Sequence, residues 1–273
     1  MRRVVFNQKG GVGKSSITAN LAAISASRGI RTLVIDLDTQ ANTTKYLMGV
    51  SATELESTVA DLFEQSVTFN LFSKEPFDFV HETAYPNLFV MPSSPELENL
   101  ESKLESRYKI FKLRDALEKL EEDFDAIYID TPPALNFYTR SALIAAQRCL
   151  VPFDCDDFSR QALYTLMASI QEIREDHNDK LEVEGIVANQ FQPRAKLPQQ
   201  LLNELIEENL PVLPVYLSAS VKMRESHQQS MPLIHMAATH KLTRQFVELF
   251  DVISAKPKAK RKNAKKAGKA KTA

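Results

Sequence analysis

The sequence predicts an α/β fold in which a mostly parallel sheet is covered by helices on both faces. Three observations predict it. A short apolar strand passes through a glycine-rich loop straight into a helix at the N-terminus; two further apolar runs end in aspartate; and strand-like and helix-like segments alternate along most of the remaining chain. Runs that are apolar throughout, without in–out alternation, mark strands buried on both faces, as parallel strands are.

Arg3-Val4-Val5-Phe6 reads as the first strand. From Ser16 apolar residues recur at helical spacing to Ile24, and Gly29 supplies a C-terminal stop. Thr32-Leu33-Val34-Ile35 is the second strand. Residues 53–64 read as helix, 87–91 as strand, and 95–122 as one long amphipathic helix rich in Glu, Lys and Leu. Strands follow at 126–129 and 148–153, a helix at 159–175, a strand at 183–189, a helix at 198–209, a strand at 212–215 and a helix at 240–253. With 273 residues and 44% hydrophobic content the chain can bury a sizeable core. Residues 1–254 are assigned to one domain and 255–273 to a separate Lys-rich tail.

The chemistry concentrates in Lys9-Gly10-Gly11-Val12-Gly13-Lys14-Ser15-Ser16. Three of the seven glycines lie here, between a strand and a helix, where inward-turned backbone N–H groups can cradle phosphate oxygens. The pattern G-x-x-x-x-G-K-[ST] is met except for its first glycine, replaced by Gln8, so the match is to a variant class. The helix start adds its orphan N–H groups and positive dipole end. Lys14 would reach the outer phosphates and the Ser15 hydroxyl would ligate Mg²⁺. A glycine turn without a ligand is the plainer reading.

The second strand delivers Asp36 and Asp38 to its carboxyl end, where ligands sit in open α/β sheets. Ala126-Ile127-Tyr128-Ile129 repeats the arrangement with Asp130, followed by Thr131-Pro132-Pro133. Acids beside a phosphate can hold a metal-bound water or orient an attacking one; capping of the next turn is the alternative.

KGGVGKSS at 9–16, LVIDLDTQANTT at 33–44 and AIYIDTPPALN at 126–136 resemble the deviant-Walker P-loop ATPases of the ParA/MinD family, the ParA-type partition ATPases most closely. Weaker similarity in strand order extends to about residue 250. The resemblance implies ATP and Mg²⁺ as cofactors, bound by residues 10–16 (Gly10, Gly11, Val12, Gly13, Lys14, Ser15, Ser16). Ser15, Asp38 and Asp130 would serve the metal, Asp130 as the Walker B carboxylate acting through water. Asp38 would position the hydrolytic water, and Asp36 is a strand-end group. Lys9 would act in catalysis with Lys14 and Asp38 by crossing an ATP-dependent homodimer to the partner's phosphates. Asn189, and more weakly Pro214, fall where adenine contacts lie, and Lys222, Arg224, Lys241 and Arg244 where basic residues face DNA. Thr39, where proline is usual, leaves the 38–44 loop less constrained.

After Asp251 no acid follows, and nine lysines and arginines, Lys260, Arg261 and Lys262 among them, stand among Ala, Pro and Gly. Taking these nine from the formal net charge of −1 leaves about −10 on the rest. Such a segment cannot fund a core and reads as a disordered arm for sequence-independent DNA binding by counterion release; an anionic membrane surface or a solubility role are the alternatives. No apolar run reaches the roughly 20 residues a membrane span needs. Cys149 and Cys155 lack paired spacing, which argues for buried thiols in a reducing cytoplasm and against a cluster or disulfide. The five histidines, scattered, read as surface or satisfied core groups.

The expectation is therefore a cytoplasmic, nucleoid-associated ATPase, slow alone, that dimerises on ATP, binds DNA without sequence preference and positions or segregates cargo. A ParB-like adaptor or its equivalent would stimulate hydrolysis. The competing readings are a MinD-like membrane-associated positioning ATPase, disfavoured because the tail has no apolar face for insertion, and a non-hydrolysing ATP-bound scaffold or repressor.

Overall fold

The computed structural model describes residues 1–69, 72–155 and 160–255. In chain order the elements are β1 (Arg2–Val5), α1 (Lys14–Ser27), β2 (Thr32–Asp36), α2 (Asn42–Met48), α3 (Val59–Glu64), β3 (His81–Glu82), β4 (Leu88–Met91), α4 (Leu97–Ser106), α5 (Lys112–Leu120), β5 (Ala126–Asp130), α6 (Phe137–Ala145), β6 (Arg148–Asp154), α7 (Arg160–Asp176), β7 (Glu182–Asn189), α8 (Lys196–Glu207), α9 (Val221–Gln228), α10 (Leu233–Met236) and α11 (Lys241–Ser254). The strands form one sheet in the order β3-β4-β2-β5-β1-β6-β7. All pairs are parallel except β3 with β4.

Successive side chains of each central strand enter two separate cores, the consequence of a period of two on a sheet covered on both sides. Val4, Leu33, Ile35, Ile127, Ile129 and Val151 pack with α3 to α8. Val5, Val34, Tyr128, Leu150 and Val187 pack with α1, α2, α10 and α11. Both cysteines are buried thiols.

Three expectations need correction. The helix expected over 95–122 is two helices, α4 and α5. The buried face Leu97, Leu100, Leu104 does not continue: the next turn brings Arg107 and an exposed Tyr108 at φ 54°, with Lys109 N–H donating back to Leu104 O at 3.0 Å. Residues 53–64 split into a single 3₁₀ turn, Ala52–Glu54, and α3, because Ser57 takes φ 58° and Thr58 starts a new helix through a capping box with Asp61. The strand expected at 212–215 is an isolated bridge: Leu213 N–H donates to Ile186 O at 2.8 Å, and Pro214, which has no N–H, breaks the ladder.

Candidate nucleotide-binding site

The carboxyl ends of β1, β2 and β5 meet beneath the N-terminus of α1. Asn7 fixes the start of the glycine loop, donating to Pro152 O at 2.7 Å and accepting from Lys9 N–H at 2.9 Å. Gly11 and Gly13 then take φ 78° and 90°, the left-handed region open to glycine. A Cβ on Gly13 would also collide with the Asn189 amide, whereas one on Gly10 would only touch Pro133. The end of β7 holds the loop from outside: Asn189 donates to Val12 O at 2.9 Å and Gln190 to Gly11 O at 3.0 Å.

Lys14, 6% exposed, donates from Nζ to Lys9 O at 2.9 Å. Burial lowers its pKa, opposed by Asp130 and Asp38. The register of β2 on β5 sets Asp36 directly opposite Asp130. Asp36 accepts from Thr44 N–H and Thr44 Oγ1, both at 2.8 Å, and from Asp38 N–H at 3.1 Å. Its carboxylate thus organises the 38–44 loop and supplies the constraint that Thr39 in place of proline would forgo. Burial first, and the charge of Asp130 second, push Asp36 well above the carboxylate range.

Asp130 accepts from Thr43 Oγ1 at 2.7 Å and is hydrogen-bonded by the Ser15 hydroxyl. Burial raises its pKa too, with the charge of Asp38 adding, while those hydrogen bonds and Lys14 counter. Asp38 receives Gln40 N–H on its carboxylate at 3.1 Å and Ser93 Oγ on its carbonyl at 2.7 Å.

These groups surround a cavity of about 370 Å³ that Gly10, Lys14, Ser15, Asp38, Asn42 and Pro133 border. A second cavity of about 610 Å³ adjoins it, lined by Asn189, Gln190, Ser218, Ser220 and Arg224. Gly11, Gly13, Ser16 and His227 border both. The first suits phosphates on a helix N-terminus, and the second suits the sugar and base. Among the described residues no three His, Cys, Asp or Glu cluster for a metal. A hydroxyl and two acids with excess negative charge are the hard-oxygen set that Mg²⁺ uses when it keeps waters and shares a phosphate.

The other expected site residues take the following places. Lys9 is half-buried and its side chain does not border the phosphate cavity of its own chain. Pro214 is exposed and borders neither cavity; Ser218 and Ser220, further along, reach the site instead. Lys222 pairs with Glu225 at 2.5 Å, Arg224 is exposed beside the second cavity, and Lys241 and Arg244 are exposed on the first turn of α11. Lys260, Arg261 and Lys262 lie outside the described residues. Gln40 and Asn42 lie within the quoted 33–44 block but were not singled out, whereas Gln190 and His227 carried no motif and their placement depends on contacts across the fold.

The AAA domain family model matches residues 3–183. The chromosome partitioning protein ParA of Myxococcus xanthus is 33% identical over 233 residues, 84% of this chain and 79% of that protein. Among solved structures, cobyrinic acid a,c-diamide synthase from Mycobacterium smegmatis with bound ATP analog and magnesium superposes with a TM-score of 0.80 at 26% identity, over 92% of this chain and 93% of that one. The cell division ATPase MinD of Pyrococcus furiosus shares the fold, with a TM-score of 0.73 at 24% identity over 92% and 98% of the two chains. The site geometry and these likenesses agree: the chain belongs to the ParA/MinD family of P-loop ATPases within the AAA domain group.

Proposed function

We propose that this chain binds and hydrolyses Mg·ATP, dimerises in the ATP state, and in that state binds DNA without sequence preference so as to position or segregate a cargo. A partner protein stimulates hydrolysis and releases it, and the protein works in the cytoplasm on the nucleoid. The observation that carries the reading is the convergence of Lys14, Ser15 and Asp38 on one cavity at the start of α1, with Asp130 buried behind it and hydrogen-bonded by the Ser15 hydroxyl. Lys14 neutralises the outer phosphates, Ser15 and Asp130 hold Mg²⁺, and Asp38 orients water. Lys9 does not border the phosphate cavity of its own chain, which fits a role on the phosphates of a second subunit.

The MinD-like alternative needs an apolar helix free to lie on a membrane. The apolar face of α11, with Leu242, Phe246, Leu249 and Phe250, is spent on the core, and no helix of the described residues is long and apolar enough to cross a bilayer.

Sedimentation of Asp38→Ala, which blocks turnover, tests the reading: Mg·ATP should give a concentration-dependent dimer and ADP should not. A protein monomeric at every concentration of Mg·ATP overturns it. Lys9→Ala should bind nucleotide and fail to dimerise. With DNA and the adaptor present, a wild-type ATPase rate no higher than that of Asp38→Ala would favour the non-hydrolysing scaffold. Cutting the chain after Ser254 should flatten the salt dependence of DNA binding if the Lys-rich tail carries it.

A further inference from the structure

His227, near the end of α9, takes no part in the chemistry assigned above, yet it is the only group outside the glycine loop and Ser16 to border both cavities among the described residues. Its Nε2 lies 2.8 Å from the Ser16 hydroxyl, on the first turn of α1. Its ring stacks on Tyr46 of α2, centroids 4.1 Å apart and planes 23° from parallel. Tyr46 is 1% exposed, and its own hydroxyl is held by Ser226 and by the Asn20 amide at 3.2 Å. The imidazole is therefore clamped between α1 and α2. The charged groups that border the same two cavities are Lys14, Asp38 and Arg224.

A nucleotide whose outer phosphates lie by Lys14 and whose base lies by Asn189 crosses the seam between the cavities at its sugar-side phosphate. Ser16 and His227 stand at that seam. We propose that His227 is a nucleotide-binding residue which, with Ser16, holds the phosphate nearest the sugar, exchanging its hydrogen bond to the Ser16 hydroxyl for one to a phosphate oxygen. The inference rests on the nucleotide reading above and adds to it a contact supplied from α9, the helix of Lys222 and Arg224. ATP and ADP share this phosphate, so the contact serves both equally and cannot sense the γ-phosphate. In the nucleotide-free chain burial lowers the imidazole pKa.

Calorimetry of the full chain with Mg·ATP, Mg·ADP and the two α-phosphorothioate diastereomers of ATP decides the matter. His227→Phe keeps the stack on Tyr46 and loses the hydrogen bond; it should weaken ATP and ADP alike, by about tenfold, the scale of one hydrogen bond to a charged group. His227→Gln keeps a donor and should stay within about threefold. Wild type should prefer one phosphorothioate diastereomer, and the preference should vanish in His227→Phe, a change that general loosening of the fold would not produce. The proposal is overturned by a folded His227→Phe with wild-type affinity, by a loss confined to ATP, by a glutamine variant as weak as the phenylalanine one, or by an unchanged diastereomer preference. A wild-type chain that binds no Mg·ATP would instead sink the nucleotide reading itself.

Discussion

Both ends of the sheet bury charge, Arg3 of β1 beside Glu184 of β7 at one and Asp36 of β2 beside Asp130 of β5 at the other, and they treat it in opposite ways. At the amino end Arg3, 1% exposed, is matched almost bond for bond: Nε and Nη2 donate to the Glu184 carboxylate at 2.6 and 2.8 Å, Nη1 to the Tyr128 hydroxyl at 3.0 Å and Nη2 to Ile253 O at 3.3 Å. At the carboxyl end Asp36 and Asp130, both fully buried, face each other across the register with Lys14 and a set of hydroxyls and N–H groups as partners. One end closes its electrostatics within the chain, and the other keeps negative charge in excess where a metal-bound phosphate would meet it. A cavity of about 530 Å³ lies beside Arg3 as well, but its buried guanidinium is already spent on neighbours. Cavity size alone thus does not separate a ligand site from a structural gap; unbalanced charge does.

The comparison breaks most visibly at Glu184. Glu184→Ala leaves a buried guanidinium without its carboxylate and should cost about 3–5 kcal/mol in urea unfolding. Nucleotide affinity per folded molecule should stay at the wild-type value; a folded variant that lost affinity would show that the two ends are not independent. Lys14→Ala acts in the opposite sense. It should weaken Mg·ATP by roughly 100-fold, about 2.7 kcal/mol, while unfolding stability holds or rises because a half-desolvated ammonium is gone. A large loss of stability in Lys14→Ala would mean that this lysine holds the loop rather than the ligand.

Much of the second end was legible from sequence because its signals are local. A glycine loop between strand and helix, and apolar runs closed by Asp36 and Asp130, need no knowledge of distant contacts, and the parallel register brings the two acids together once both strands are placed. What escaped was long-range. His227 lies 211 residues from Ser16, on a polar segment, VKMRESHQ, with too few apolar residues to show a helical period. The break in the long charged helix is not legible locally: Leu104, Tyr108 and Phe111 keep helical spacing across it, and no glycine or proline marks it. Pro211 and Pro214 did mark the broken strand, and the apolar run between them outweighed the warning.

The smallest effect is the one that isolates the excess charge. Burial raises the Asp130 carboxyl above the ordinary aspartate range, with Asp38 adding and Ser15, Thr43 and Lys14 opposing. A carboxyl with a raised folded pKa costs nothing below the unfolded value of about 3.9, where it is protonated in both states; the cost enters as pH rises through the folded value. The nucleotide-free protein should therefore lose stability from this group as pH rises, not as it falls. Asp130→Asn removes that cost and should gain about 1 kcal/mol at pH 8, a gain that shrinks toward acid and disappears near the ordinary aspartate range. Asp36 is raised in part by the charge of Asp130, so Asp130→Asn also relaxes Asp36 toward its ordinary range and adds to the gain in the same direction. Melting curves across pH measure this directly, and adding Mg·ATP should reverse the order, because wild type recovers a metal partner for the carboxylate and the asparagine variant does not. An asparagine variant less stable than wild type at pH 8 without nucleotide would show that Asp130 is already balanced by the chain, and the contrast between the two ends of the sheet would go with it.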